Sequence, residues 1–411
     1  MRRADAVTAQ AAGNADDSRR GSALEVLGVA TRLGLTSFGG PVAHLGYFRE
    51  EYVRRRRWIT EDAYADIVAL CQLLPGPTSS QVGVAIGILR AGLPGAVAAW
   101  LGFTLPSAIL LVAFAFGLQR LGVMDAGWLH GLKIAAVAVV ANAVWGMARS
   151  LAPDRARATI AIVSAIVVLA WSGAPGQVLV IVLAGLIGSR LFSGASGEAR
   201  VSLPPVIGRR TAIASMVLFF ALLGGLPILR QVVTNQALVL FDSFFRVGSL
   251  VFGGGHVVLP LLQAEVVPPG WVTNEEFVAG YGAAQAVPGP LFTFAAYLGA
   301  VRHEPPNGIA GAALALVAIF LPTFLMVVGA LPFLRALRAR AGFQAALRGI
   351  NAAVVGLLLA ALYHPVWTSA IKTPTDFALA LVAFALLALW NAPAWLVVVI
   401  AAFGGAILGA L

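Results

Sequence analysis

Cysteine is all but missing from this chain. The single Cys71 excludes an intramolecular disulfide and a cysteine-based metal site, and it reads as a small apolar helix residue. Charge is scarce as well: 11% of the 411 residues are charged against 59% hydrophobic, a balance that no soluble domain carries. No Walker-type loop, no HExxH sequence and no His-rich metal spacing occurs, which argues against an ATP-driven pump, a metalloprotease or a bound cofactor. Acidic residues are few and lie mostly in loops or near segment ends, so no carboxylate proton relay stands out deep in the apolar stretches. The net charge of +10 does not point to nucleic acid, because the basic residues cluster in short loops between apolar runs, as in membrane proteins.

What the chain does have is apolar length. About thirteen segments alternate with short polar loops, many long enough to cross ~30 Å of hydrocarbon. They cover 24–52, 62–89, 95–118, 131–148, 157–172, 176–193, 211–229, 236–262, 275–301, 308–333, 349–364, 376–390 and 393–411. The fold class is therefore an all-α polytopic membrane protein. Residues 1–22 are polar and lack the apolar core of a signal peptide, so they read as a disordered cytoplasmic tail. The Gly-, Ser- and Pro-containing stretch 194–210 reads as a cytoplasmic linker.

The two halves repeat one another. Phe38-Gly39-Gly40 matches Phe252-Gly253-Gly254 at an offset of 214. At an offset of 213, Trp58 and Thr60 match Trp271 and Thr273, Gln72 matches Gln285, and Pro75-Gly76-Pro77 matches Pro288-Gly289-Pro290. Trp171 and Pro175 likewise resemble Trp390 and Pro393. The organisation is then an N-terminal repeat over 23–193, a linking transmembrane helix over 211–230 and a C-terminal repeat over 231–411. One extra crossing between repeats of about six segments turns the second upside down, the inverted-topology design of many secondary transporters.

Loop charge sets the geometry. If every segment crossed, Arg54 to Arg57 would lie on the side opposite the N-terminus, against the positive-inside rule. If 24–52, 62–89, 236–262 and 275–301 are instead re-entrant hairpins, those arginines join Arg90, the 149–157 arginines and Arg335, Arg338 and Arg340 on the cytoplasmic side. The legs 61–74 and 78–90 would each be ~20 Å long, enough to reach the midplane. Thr60, followed by Glu61 and Asp62, and Thr273, three residues before Glu276, supply N-caps for the legs. Broken helices that span fully are the competing geometry.

The breaks also carry the chemistry. Proline removes a backbone donor and glycine tolerates the resulting turn, so Pro-Gly-Pro ends one half-helix and starts another. In hydrocarbon such a break survives only where protein or a polar cavity lines it. Half-helices starting after Pro41, Pro77, Gly255 and Pro290 would aim free N–H groups at the midplane, an arrangement that suits an anion. Candidate substrate-binding residues are Ser37, Gly39, Gly40, Pro41, Gln72, Pro75, Gly76, Pro77, Thr78 and Ser79 in the first repeat. Gly253, Gly254, His256, Gln285, Pro288, Gly289 and Pro290 are their counterparts in the second. Ser80, Gln81 and Thr293 add donors, or cap freed backbone. Arg32 and Arg246, at equivalent places, either guide an anion or snorkel to an interface. His44 and His256 either relay protons or bond within the packing. Lys133, Asn142, Arg348 and Asn351 line a pathway, or Lys133 and Arg348 mark helix ends. Gly404-Gly405-x-x-x-Gly409 can pack helices within one subunit or between the copies of a homodimer.

Taken together, Ser37–Pro41, the arginine-rich loop with Trp58–Thr60 and Gln72–Pro77 resemble the chromate ion transporter family in its long, duplicated form. Phe252–Gly255, Trp271–Thr273 and Gln285–Pro290 look like that family's C-terminal repeat, and the resemblance runs from about Leu24 to Leu411. It implies a secondary active transporter of a bacterial cytoplasmic membrane, with its N-terminus inside, exporting chromate under the proton motive force and conferring resistance. The second repeat departs from the first where Gly255 replaces Pro41, and Leu291 with Phe292 replaces Thr78 with Ser79, which makes the first repeat's tips the stronger candidates. A sulfate or related oxyanion transporter, a passive anion channel and a membrane enzyme are the other readings.

Overall fold

The structure is a computed structural model that describes residues 21–121, 127–171, 173–192, 207–252, 255–333 and 341–409. Most of the tail and linker, the Gly253-Gly254 pair and Arg335, Arg338 and Arg340 lie outside the described residues. Every regular element among the described residues is helical. Five helices are long and apolar enough to cross a membrane: Thr78–Arg120, Gly127–Leu151, Arg209–Val232, Gly308–Phe333 and Gly342–Ala370. The protein is an all-α polytopic membrane protein.

The first repeat opens with α1 (Ala23–Thr36), then α2 (Gly40–Phe48), which a π-helical turn extends over Arg49–Arg55. Next come α3 (Glu61–Leu73) and α4 (Thr78–Leu121). The latter is broken at Ala91 and Gly92, where Gly92 takes φ +64°, so a leg over 78–90 precedes a longer crossing part. The caps expected from the sequence form: Thr60 accepts from the Ala63 N–H, and Thr273 with Glu276 closes a capping box.

Both ends of each N-terminal hairpin meet at one place. Glu25, at the start of α1, pairs with Arg90 at 3.0 Å and with Arg56 at 3.9 Å. The Gly21 N–H donates to the Arg90 carbonyl at 3.0 Å, and the Arg56 and Arg90 guanidinium groups both lie over the Trp58 ring. A broken helix that ran straight through would hold Glu25 and Arg56 a bilayer thickness apart; here they touch. The hairpin geometry prevails for this physical reason.

The second repeat rebuilds the same base. It contains α9 (Gln236–Leu250), a 3-10 turn over Gly255–Val257 leading into α10 (Val258–Val266), α11 (Asn274–Ala286), and a turn over Leu291–Thr293 leading into α12 (Phe294–Val301). At its base Arg302 donates to Gln236 Oε1 at 2.6 Å and stacks 4.4 Å from the Trp271 centroid, while the His303 N–H donates to the Trp271 carbonyl. An arginine over the equivalent tryptophan thus closes both bases. The crossing part of α4 joins them: it leaves Arg90 at the first base and places Phe114 beside Tyr297 and Phe116 over Gly308 at the second.

Between and after the hairpins run α5 (Gly127–Leu151), α6 (Arg155–Ala170), α7 (Ala174–Leu191), the linking α8 (Arg209–Val232), α13 (Gly308–Ala330) and α14 (Ala341–Ala361). A π-helical turn over Leu362–Trp367 and the short α15 (Thr368–Ala370) lead to α16 (Pro374–Ala388) and α17 (Ala394–Leu408). These outer elements pack across the repeats. Helix α14 lies on α6 and α7, with Gly349 against Ala184 and Gly188, whereas α5 lies on α17, with Gly131 against Ala401 and Gly127 against Gly405. Cysteine substitutions test the hairpins: Arg54→Cys and Arg155→Cys should react with an impermeant maleimide from one face of the bilayer, and Pro269→Cys from the other. Thirteen crossings would instead group Arg155 with Pro269.

Candidate functional site

Each Pro-Gly-Pro tip is a turn that only glycine can make. Gly76 has φ +119° and Gly289 φ +97°, left-handed values that an L side chain strains to adopt. A side chain would also collide. A Cβ on Gly289 would meet Ser107 Oγ at 2.9 Å and the Phe103 carbonyl at 3.2 Å, and one on Gly76 would meet Gln81 at 2.8 Å. Local donors complete the turns: Gln81 Nε2 donates to the Pro75 carbonyl at 2.6 Å, and Thr293 Oγ1 to the Pro290 carbonyl at 2.8 Å.

The tips then cross between repeats. The Gly76 N–H donates to the Val251 carbonyl at 2.7 Å, and the Gly289 N–H to the Ser37 carbonyl at 2.9 Å. Val251 and Ser37 precede the two glycine breaks at equivalent positions. Each Pro-Gly-Pro tip is therefore latched to the glycine break of the opposite repeat.

Beside the Gly289 latch lies a cavity of about 300 Å³. Gly39 and Gly40 form one wall, Ala284, Gln285, Val287, Gly289 and Leu291 a second, and Asn391, Ala392, Pro393 and Ala394 a third. His256, Val139, Asn142, Ala143 and Leu387 complete the lining. Its polar side chains are two asparagines, one glutamine and one histidine, with no Asp, Glu, Lys or Arg among the lining residues. His256 Nδ1 bonds the Tyr281 hydroxyl at 2.8 Å, and Gln285 Nε2 is buried with no hydrogen-bond partner.

Three helices begin at this cavity without a side-chain cap: α2 after Gly39, the 3-10 turn into α12 after Pro290, and α17 after Pro393. Uncapped N-termini present free N–H groups and about half a positive charge each. With carboxamide donors and no fixed charge beside them, they make the cavity suited to an anion and free of repelling carboxylates.

The other sequence candidates fall in several places. Gly39, Gly40, His256, Gln285 and Gly289 line the cavity, with Pro288 and Pro290 flanking the last; Gly253 and Gly254 lie outside the described residues. Ser37 is fully buried and its hydroxyl has no partner. Pro41 sits in the first turn of α2. Pro75, Gly76 and Pro77 form the opposite tip, followed by Thr78, while Ser79 Oγ lies 3.3 Å from His44 Nδ1. Gln72 and Arg32 are exposed and do not line the cavity. Arg246 is held in ion pairs with Asp242 and Glu265, both at 3.0 Å, and Asp242 also binds Arg230 of α8, so this arginine ties hairpin legs together. Of the α5 and α14 candidates, Asn142 reaches the cavity, and Lys133, Arg348 and Asn351 do not. Sequence reasoning passed over Asn391 and the start of α17, although an Asn two residues before a Pro that opens an apolar run is a helix-start signal.

The family model described as "Chromate transporter" matches residues 24–189 and 238–406, one region in each half. The chain is 30% identical over 353 residues to a chromate transport protein of Pseudomonas aeruginosa, covering 84% of this chain and 81% of that one. It is 27% identical over 368 residues to a chromate transport protein of Cupriavidus metallidurans, covering 87% and 85%. A probable chromate transport protein of Synechococcus elongatus is 26% identical over 389 residues, covering 92% and 93%. No solved structure matches the chain. The latch geometry predicts that Gly289→Ala destabilises the protein by about 1–3 kcal/mol. Its thermal unfolding midpoint in detergent should fall by several degrees, whereas Gly28→Ala, inside α1 with no atom near the added methyl, should hold or raise it.

Proposed function

This chain belongs to the chromate transporter family, and from that premise we propose that it exports chromate, a tetrahedral dianion, from the bacterial cytoplasm through the cavity at the hairpin tips, giving chromate resistance. The supporting observation is the lining of that cavity: uncapped helix N-termini and neutral amide donors, with no carboxylate among the lining residues. Such a lining attracts an oxyanion by dipoles and hydrogen bonds and leaves the bound anion's charge uncancelled.

That charge bears on direction. A dianion leaving an inside-negative cytoplasm gains about 4.6 kcal/mol per 100 mV, so the electrical part of the proton motive force drives export. The arginines around the first base, Arg54 to Arg57 and Arg90, favour placing that base and the N-terminus in the cytoplasm of a bacterial inner membrane. His256 is the titratable side chain among the lining residues, and it is the group through which a proton would be coupled.

Sulfate has the same shape and charge as chromate, and transport of sulfate or a related oxyanion is the second reading that this lining supports. Everted vesicles carrying the protein should accumulate labelled chromate when energised, lose that accumulation when the potential is collapsed with valinomycin and potassium, and show competition by sulfate. An imposed pH step should enlarge that accumulation at fixed potential; accumulation that follows the potential alone would identify a passive channel, and sulfate uptake without chromate uptake would replace the substrate.

A further inference from the structure

The last two helices, α16 and α17, form a hairpin of their own, with the turn Leu389–Pro393 at its tip. At its outer end Asp376 Oδ1 lies 2.8 Å from His130 Nε2, and Gly405 packs on Gly127 and Gly131, so both legs start and finish beside the first turns of α5. Each leg has 15 residues, or ~22 Å, short of a full hydrocarbon crossing. Its tip stops at the level of the other tips: the Trp395 ring lies 6.0 Å from the Phe38 ring, and Asn391 to Ala394 share the cavity wall with Gly39, Gly40 and Gly289. This hairpin therefore supplies a wall of the site, while Leu381, Val382, Phe403 and Ile407 keep its other face exposed and apolar.

We propose that Asn391 is a specificity-determining residue of the oxyanion site, donating its side-chain amide to a tetrahedral dianion together with Asn142 and Gln285. The proposal rests on the transport reading above and assigns to it a contact that neither duplicated motif contains. The backbone supports it. Asn391 has φ +52°, and at left-handed positions among the described residues glycine stands eight times, Arg57 and Asn391 being the exceptions. Glycine would make this turn with less strain, but only asparagine both tolerates the conformation and brings a neutral donor to the cavity. The three amides come from α5, α11 and the last hairpin, so they approach one volume from separate walls. Gln285 Nε2, buried and unbonded among the described residues, is a donor free for a ligand.

Substitution separates the amide from the turn. Asn391→Gly keeps the backbone conformation and removes the donor; it should raise the half-saturating oxyanion concentration in vesicle transport by roughly tenfold. Asn391→Asp keeps shape and adds a negative charge; it should abolish uptake at pH 7.5. Binding is read independently in a Cys71→Ser protein bearing Asn391→Cys, by permeant maleimide labelling with sulfate as the probe, since sulfate does not oxidise thiols. Sulfate, but not an equal ionic strength of chloride, should slow the labelling. Wild-type kinetics in both Asn391→Gly and Asn391→Asp, or labelling indifferent to sulfate, overturns the proposal. If wild-type vesicles transport neither anion while sulfate still protects the Asn391→Cys thiol from maleimide, the transport reading falls and the oxyanion contact stands.

Discussion

Everything in this protein hangs on two backbone hydrogen bonds, Gly76 N–H to the Val251 carbonyl and Gly289 N–H to the Ser37 carbonyl. A helix that stops in the middle of a membrane exposes backbone groups that water cannot reach, and each one left unpaired costs several kcal/mol. Every repeat here contains two such stops, one at a glycine break and one at Pro-Gly-Pro. Local donors from Gln81 and Thr293 meet part of that demand, and the two repeats meet more of it together. Each lends the donor of its Pro-Gly-Pro tip to the carbonyl before the other's glycine break, and each tip lodges against the other's proline-bearing crossing helix, Gly289 on Ser107 of α4 and Gly76 near Thr323 of α13. The exchange continues outward, since α14 packs on α6 and α7 while α5 packs on α17. Each tip thus finds a backbone partner in the other half of the chain.

The latch also decides where a ligand can sit. Bonding the tip through the Gly289 N–H leaves the neighbouring helix N-termini unspent, and these open onto the cavity. Permanent charge is kept away from it. Arg246 is neutralised by Asp242 and Glu265, and Glu51 faces Arg55 and Arg56, both groups lying back along the hairpin legs toward the bases. On the proposed reading, attraction at the cavity would come from dipoles fixed by the backbone, which need no reorganisation when an anion arrives or leaves.

Much of this could be read from residues alone, and the exceptions have physical causes. Proline, glycine and N-cap residues act locally, so the hairpin legs, their caps at Thr60 and Thr273 and the tips at Gly76 and Gly289 fall where the sequence places them. Loop arginines report which side a loop faces, and the meeting of Glu25, Arg56 and Arg90 agrees with that reading. Pairing across repeats is not a local property. Nothing in the spacing of Asp242 and Glu265 says that they will claim Arg246, and nothing in the Gln72 and Gln285 match says that one will be exposed while the other lines a cavity. Asn391 escaped notice because its neighbours, Leu389, Trp390 and Ala392, read as an ordinary connection between apolar segments; its tip becomes part of a site only through the packing of α16 and α17 on α5.

Duplication makes the two bases alike in shape, with an arginine over Trp58 in one and over Trp271 in the other, so shape alone gives the protein no inside or outside. Charge breaks that tie. The first base carries Arg54, Arg55, Arg56 and Arg57 on its connecting turn, while the connection at the second, Val267 to Thr273, has no basic residue and is bordered by Glu265, Glu275 and Glu276. This asymmetry lies on the rims, away from the latched tips. The basic loops follow the charge rule of membrane proteins, and the tips answer to the hydrogen-bonding demands of an apolar interior.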